Sequence, residues 1–352
     1  MKKRNTIGMD MGDRNHSICI LDHEGEVASR NSVSNTAAAI RKCFKNQKPA
    51  LFALEAGTHS AWVSRVLEEM GHEVLVGNPR KLRAIWSSNE KCDERDAEML
   101  ARIARVDAKL LYPITHRGRE SQLDLLNIKA RDLLVKTRKM QIAHIRCVAK
   151  GSGERVSKCS TKSFYNHALE ELSGELLEVL TPVLESIKEL SSKITEYEKR
   201  IRKISKEKYP ETATLQAVAG VGPITALAYV LTLEDPTRFK KSRDVGPFLG
   251  LVPRRDQSGD TDKQLSITKA GNFALRRLLV GCAQYILGAF GPECELREFG
   301  LKLAERGGKN AKKRAVVAVA RKLAVMLHRL WVDEATYEPF FNQSHKALSQ
   351  AA

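Results

Sequence analysis

Two apolar runs of this chain carry acids where a buried strand would hold none. Asp10 lies in Thr6-Ile7-Gly8-Met9-Asp10-Met11-Gly12, and Glu55 closes Ala50-Leu51-Phe52-Ala53-Leu54-Glu55. A carboxylate at the mouth of a buried strand is costly unless it is paired or holds a cation. A third group follows in Lys91-Cys92-Asp93-Glu94-Arg95-Asp96-Ala97. Asp93 and Asp96 are three apart, which puts them on one face of a helix. Leu100 and Ile103 continue an apolar stripe from that face, so both acids point inward. Four carboxylates converging on one spot repel one another and need a hard cation between them; Mg²⁺ with oxygen ligands is the usual one. Each acid alone has a plainer reading. Asp93 and Asp96 can favour a helix N-terminus, and Glu55 can pair with an arginine.

A second set of reactive groups sits in the C-terminal third. Ser258 sits in what reads as a polar loop between Arg254-Arg255 and Lys269. A serine hydroxyl is a poor nucleophile at neutral pH unless the developing charge is stabilised. Neighbouring guanidinium and ammonium groups, or a metal, would do that. The plainer reading of Ser258-Gly259 is a turn. Upstream, Ala219-Gly220-Val221-Gly222-Pro223 has the glycine pattern of a helix-hairpin-helix turn, where backbone N–H groups approach a phosphate without reading sequence. A tight turn between two core helices is the alternative. The helix opening at Phe273 adds Arg276 and Arg277 as further candidate contacts to a nucleic-acid backbone.

These groups need elements to position them. Residues 6–12, 17–22 and 26–33 read as an antiparallel meander. Then come helix 36–44, strand 50–55, helix 60–70, strand 73–76 and a helix carrying Asp93. That order predicts an α/β layer whose later strands are parallel, with its functional crevice at the strand ends. Ser121 to Val148 has helical spacing and is broken at Gly151-Ser152-Gly153. From Val183 the apolar positions 183, 187, 190, 194, 197, 201 and 204 alternate steps of four and three, a heptad seam. Thr181-Pro182 reads as its N-cap and first turn. Such a seam wants a partner helix, either from a second copy or from this chain.

Net charge is +17 over 352 residues, and Arg238 to Arg329 alone holds 20 basic against 8 acidic residues. That concentration suits a polyanionic partner. The seven scattered cysteines contain no Cys-x-x-Cys pair, which argues against a disulfide framework or zinc site and for a reducing, cytoplasmic setting. The uncharged stretch Leu215 to Leu233 carries Gln216, Gly220, Gly222 and Pro223. It reads as buried turn and helix rather than a membrane span.

Gly8-Met9-Asp10, then Leu54-Glu55-Ala56-Gly57, then Lys91-x-Asp93-x-x-Asp96-Ala97-x-x-Leu100-Ala101 resembles the Asp-Glu-Asp-Asp signature of RuvC-like, ribonuclease-H-type domains. In particular it resembles that of insertion-sequence transposases of the DEDD type, the insertion-sequence one-ten family. Glu55-Ala56-Gly57-Thr58 departs slightly, where relatives often read Glu-Ala-Thr-Gly. Leu251-x-Pro253-Arg254-Arg255-x-x-Ser258-Gly259 and Ile267-x-Lys269-x-Gly271-Asn272-x-x-Leu275-Arg276 resemble the second domain of the same family.

The resemblance implies an RNase H-like (RuvC-like) α/β domain over 1–115 and a helical, coiled-coil connector over 116–210. A mostly α transposase domain over 211–331 and a tail over 332–352 would follow. It implies Mg²⁺ on Asp10, Glu55, Asp93 and Asp96, and Ser258 as the covalent nucleophile of a serine recombinase that cuts and rejoins DNA. The implied partners are donor and target DNA, the element's structured guide (bridge) RNA, and a homodimer that assembles to a tetramer, with the two catalytic parts meeting across subunits. Arg254, Arg255 and Lys269 are candidates for stabilising the transition state. Two other readings stay open: a metal-dependent junction nuclease that does not need Ser258, and a non-catalytic nucleic-acid scaffold.

Overall fold

The computed structural model describes residues 4–82, 92–259 and 261–341. The chain divides into two compact units, Met1–Arg117 and Gly118–Ala352.

The first unit opens with β1 (Thr6–Met11), β2 (Asn15–Leu21) and β3 (Val27–Ser34), an antiparallel meander. It continues through α1 (Ala37–Cys43), β4 (Leu51–Glu55), α2 (Ser60–Glu69), β5 (Glu73–Gly77) and α3 (Asp93–Val106). The five strands form one sheet in the order β3-β2-β1-β4-β5, with β4 parallel to both β1 and β5. Meander first and parallel strands afterwards is the order the residues predict. β4 is apolar at both alternating positions because both sheet faces are covered. Ile7, Met9, Phe52 and Leu54 face Ile40, Val63 and Leu67 of α1 and α2. The opposite positions face α3: Cys19 and Leu21 pack on Ala97 and Ala101, and Leu51 and Ala53 on Leu100 and Ala104. β3, at the sheet edge, is mostly polar, which suits an edge exposed to water.

The second unit is mostly helical. α4 (Arg119–Gly151) and α6 (Gly174–Lys208) pack along one another, linked through α5 (Phe164–Glu171). The heptad seam therefore finds its partner within this chain. Ile187, Ile194 and Ile201 are buried, and Arg131–Glu198 (2.5 Å), Arg138–Ser191 (3.0 Å) and Gln141–Ser186 (2.9 Å) cross between the two helices. The expected start at Thr181-Pro182 is corrected: α6 begins at Gly174 and Pro182 lies inside it. Leu180 and Leu184, buried on either side of the proline, hold the helix through the missing N–H.

Beyond lie α7 (Thr212–Gln216), α8 (Pro223–Leu233), α9 (Val245–Phe248) and the hairpin of β6 (Pro253–Ser258) with β7 (Thr261–Ile267). α10 (Phe273–Leu287), α11 (Glu295–Glu305) and α12 (Ala311–Val332) complete the unit. α8 is apolar all round because it is the core helix, buried from Thr225 to Leu233. Its Tyr229 hydroxyl donates to the Ala324 carbonyl of α12 at 2.6 Å. Among the described residues no helix is long and apolar enough to cross a membrane.

Candidate active site

In the first unit, the register decides where the acids fall. Met9 of β1 pairs with Leu54 of β4, so Asp10 and Glu55 are the next residues on adjacent parallel strands. Both belong to the sheet face that carries Gly8 and Ala53, the face under α3. At Gly8 the helix backbone comes so close that a Cβ would lie 1.9 Å from the Ala97 carbonyl oxygen and 2.7 Å from the Ala101 nitrogen. Only glycine allows that approach. It seats α3 with its first turn, bearing Asp93, Glu94 and Asp96, toward the end of β1 where Asp10 stands. Acids in that turn also complement the helix dipole.

Strand ends and helix start thus carry the four acids to one corner of the sheet. The donor set, all carboxylate oxygen, fits a hard divalent cation in type. Side-chain closure is another matter. Among the described residues no three His, Cys, Asp or Glu side chains stand as a metal-ligand group. Asp10, Glu55 and Asp96 each take part in a polar or electrostatic interaction. A further acid of α3 is occupied too. Glu98 accepts from Arg30 at 2.6 Å and Arg102 at 2.8 Å, and the Arg30 guanidinium, then Arg102, holds its carboxyl below the usual range.

After Glu55 the chain turns at Gly57-Thr58, closed by Ser60, whose hydroxyl accepts from the Gly57 N–H and donates to the Gly57 carbonyl. The departure at Gly57-Thr58 therefore alters a turn and leaves the acid in place. On the other sheet face, His16 is fully buried with neither ring nitrogen hydrogen-bonded. Its ring lies beside His59 and Trp62.

In the second unit, the stretch read as a polar loop is a two-stranded ribbon. Arg254, Arg255 and Ser258 lie on β6, whose residues are all exposed, and Ser258 pairs with Thr261 at the tip. A lone hairpin is marginal in water, so its base must be held. Gly250 and Gly271 supply that hold by close approach: a Cβ at Gly250 would stand 2.2 Å from the Ala270 nitrogen, and one at Gly271 2.0 Å from the Phe248 carbonyl. Lys269, at positive φ, donates its N–H to the Gly250 carbonyl at 3.1 Å. Asn272 caps α10 by accepting from the Leu275 N–H.

The cations divide on inspection. Arg276, expected to touch a nucleic-acid backbone, is buried and donates to the Leu249 and Ala270 carbonyls at 2.8 and 2.6 Å. It locks the base of the ribbon instead of presenting a charge. Arg255 is exposed but held by both oxygens of Asp262, at 2.8 and 2.6 Å. Among the described residues Arg254 reaches only Ser266, at 3.4 Å. Arg277 is paired with Asp132 of α4. Sequence spacing could not show these partners: Asp132 and Arg277 are 145 residues apart.

Gly220 has a positive φ, and Gly222 is the N-cap of α8 with Pro223 following. The turn borders an open groove of about 620 Å³ lined by Gln216, Gly222, Thr225, Arg277 and Tyr285. Nothing lies within 4 Å of a Cβ position at Gly222, so the surface there is open on the side-chain side.

Comparison with known proteins agrees with both halves. A DEDD-type IS110 transposase model matches residues 7–152, and a model described as Transposase IS116/IS110/IS902 family matches residues 212–296. The transposase for insertion sequence element IS1111A of Coxiella burnetii is 30% identical over 348 residues, covering 96% of this chain and 92% of that protein. The transposase for insertion sequence element IS1328 of Yersinia enterocolitica is 27% identical over 285 residues, covering 79% of this chain and 82% of its own length.

Proposed function

Because this chain belongs to the IS110-type family of DNA-cutting and rejoining transposases, we propose that it moves an insertion sequence through a covalent protein–DNA linkage. The first unit acts as an RNase H-like, RuvC-like domain. Asp10, Glu55, Asp93 and Asp96 would hold Mg²⁺, which supplies Lewis-acid neutralisation of charge at a scissile phosphate. Ser258 Oγ attacks phosphorus. A bond forms between Oγ and phosphorus, the bond from phosphorus to the 3′ oxygen breaks, and the hydroxyl proton ends on that oxygen. The products are a 5′-phosphoserine and a free 3′-hydroxyl. Attack of a 3′-hydroxyl on the phosphoserine reverses the step and regenerates the serine, so no ATP is needed.

The observation that carries this reading is the common placement of Asp10 and Glu55 on the α3 face of adjacent strand ends, with α3 seated by Gly8. Support for Ser258 comes from its position at an exposed tip whose base is locked. Arg254 and Lys269 are the proposed cations near that tip, with Gly220 and Gly222 contacting the backbone.

Sequence choice is assigned to base pairing by a structured RNA encoded beside the gene, with the protein reading backbone and shape. Self-association is assigned to α4. The seam on α6 is covered within the chain, but the outer face of α4 exposes Leu123, Leu126, Leu133 and Met140 at heptad positions. A second copy of the same stripe is the fitting cover.

The deciding experiment incubates Ser258→Ala and the unaltered protein with donor DNA and resolves products on a denaturing gel. Loss of a covalent adduct and of strand exchange in the variant supports the proposal. Undiminished cutting without an adduct would show a metal-dependent nuclease instead. Asp10→Ala must also abolish cutting; a variant that retains every activity would leave only a scaffold.

A further inference from the structure

One corner of the basic C-terminal region sets six exposed cations against a single acid. Four of the region's arginines are occupied: Arg255 by Asp262, Arg276 by two carbonyls, Arg277 by Asp132, and Arg297 by Glu293 and the carbonyls of Ile286 and Gly288. The six lie between the end of α11 and the first turn of α12. Lys302, Arg306, Lys309, Lys312, Lys313 and Arg314 are all exposed, and among the described residues none of their side chains has an ion pair or hydrogen bond. Glu305 is the single acid from Lys302 to Val332.

This arrangement works against its own helix. The N-terminal turn of a 22-residue helix bears partial positive charge and favours acids, yet α12 has none there and instead carries Lys312, Lys313 and Arg314. Asn310, at its N-cap, makes no side-chain cap. Both features are unfavourable for an isolated helix and become favourable when an anion sits at the corner. Local rules broken without internal compensation mark functional surface.

We propose that the α11–α12 corner is a docking surface for the phosphate backbone of duplex DNA, additional to the serine ribbon and the Gly220–Gly222 turn. Residues 302–314 contain no aromatic side chain, so the surface offers no platform for stacking unpaired bases. Lysines dominate it, giving point charges suited to backbone contact without sequence readout. The inference goes beyond the serine chemistry, and its readout is binding, so its failure would leave the covalent reading standing.

The test uses the full-length chain and a random-sequence DNA duplex of about 30 base pairs, a length that spans several phosphate contacts. Fluorescence anisotropy is recorded over a salt series for the unaltered protein and for Lys309→Gln/Lys312→Gln/Lys313→Gln. Each lost phosphate contact should lower the slope of log K against log salt by about one, so the triple variant should lose about two to three and bind at least about tenfold more weakly. Thermal midpoints check that folding is intact; if the triple variant is unfolded, the single Lys312→Gln and Lys313→Gln variants are read for a slope loss of about one each. An unchanged slope and affinity overturns the proposal. So does an equal or larger loss on single-stranded RNA of the same length, which would assign the corner to RNA.

Discussion

At the residue scale, glycine contact distances say more about this protein than the reactive groups do. Gly8 has no chemistry, yet it determines whether α3 can bring Asp93 and Asp96 to the strand ends. Gly8→Ala would force the Ala97 carbonyl away from a Cβ 1.9 Å distant. The expected outcome is a stability loss of about 1–3 kcal/mol or more, as for other overpacked sites, measured by denaturant unfolding, together with loss of DNA cutting. His16 makes a second residue-scale prediction. Burial pushes its imidazole below the usual 6.5, and His59 adds to the shift, while Asn35 and Gly12 oppose it in smaller measure. A folded-state value below the unfolded one means that stability is full above about pH 6.5 and falls as pH drops below it, because the unfolded chain takes up the proton more readily. His16→Phe should therefore flatten the decline of the melting temperature between pH 7 and pH 5. An unchanged decline would place the acid sensitivity elsewhere.

At the element scale, the two faces of the α4–α6 pair have opposite roles. Ile194 is 3% exposed and packs inside the pair, whereas Leu133 on the outer face of α4 is 63% exposed. Ile194→Ala should cost about 2–4 kcal/mol, the range for truncating a buried isoleucine, and lower the thermal midpoint. Leu133→Asp should leave the midpoint unchanged and shift the protein toward monomer in sedimentation; an unchanged sedimentation coefficient would remove α4 as the self-association surface. The ribbon illustrates another division. Its tip is exposed on β6, whereas its base is held by Arg276, Gly250 and Gly271. Arg276→Lys keeps the charge and loses the two-carbonyl clamp, so it should reduce adduct formation while DNA affinity changes little.

At the scale of the whole molecule, charge and metal act separately. A net charge of +17 makes DNA binding strongly salt-dependent. Cutting, in contrast, should depend on the divalent cation. Chelation is expected to abolish strand cleavage and adduct formation while leaving DNA binding in place, and added Mg²⁺ should restore both. Cleavage that persists under chelation would remove the four acids from the chemistry.

The element order, the opening meander and the parallel later strands were legible in the sequence, and so was the placement of Asp10 and Glu55 at the ends of apolar strands, whereas the pairing of β1 with β4 was not. Alternation and apolar runs report directly which strands have two covered faces, and an acid ending such a run has few places to go. The heptad seam was legible as well, since periodicity is a local property. What covers the seam was not: α4 and α6 meet only after the chain folds back on itself, and a three-four repeat reads the same whether its partner is near or foreign. The polar stretch around Ser258 shows no alternation of burial because both faces of its ribbon are wet, so its strands left no hydrophobic signature. Likewise, Arg254, Arg255, Arg276 and Arg277 are indistinguishable by composition. Tertiary structure alone separates the arginine that clamps two carbonyls from those that meet Ser266, Asp262 and Asp132, because an arginine's role is set by which acceptors folding brings within 3 Å or so, and those lie up to 145 residues away.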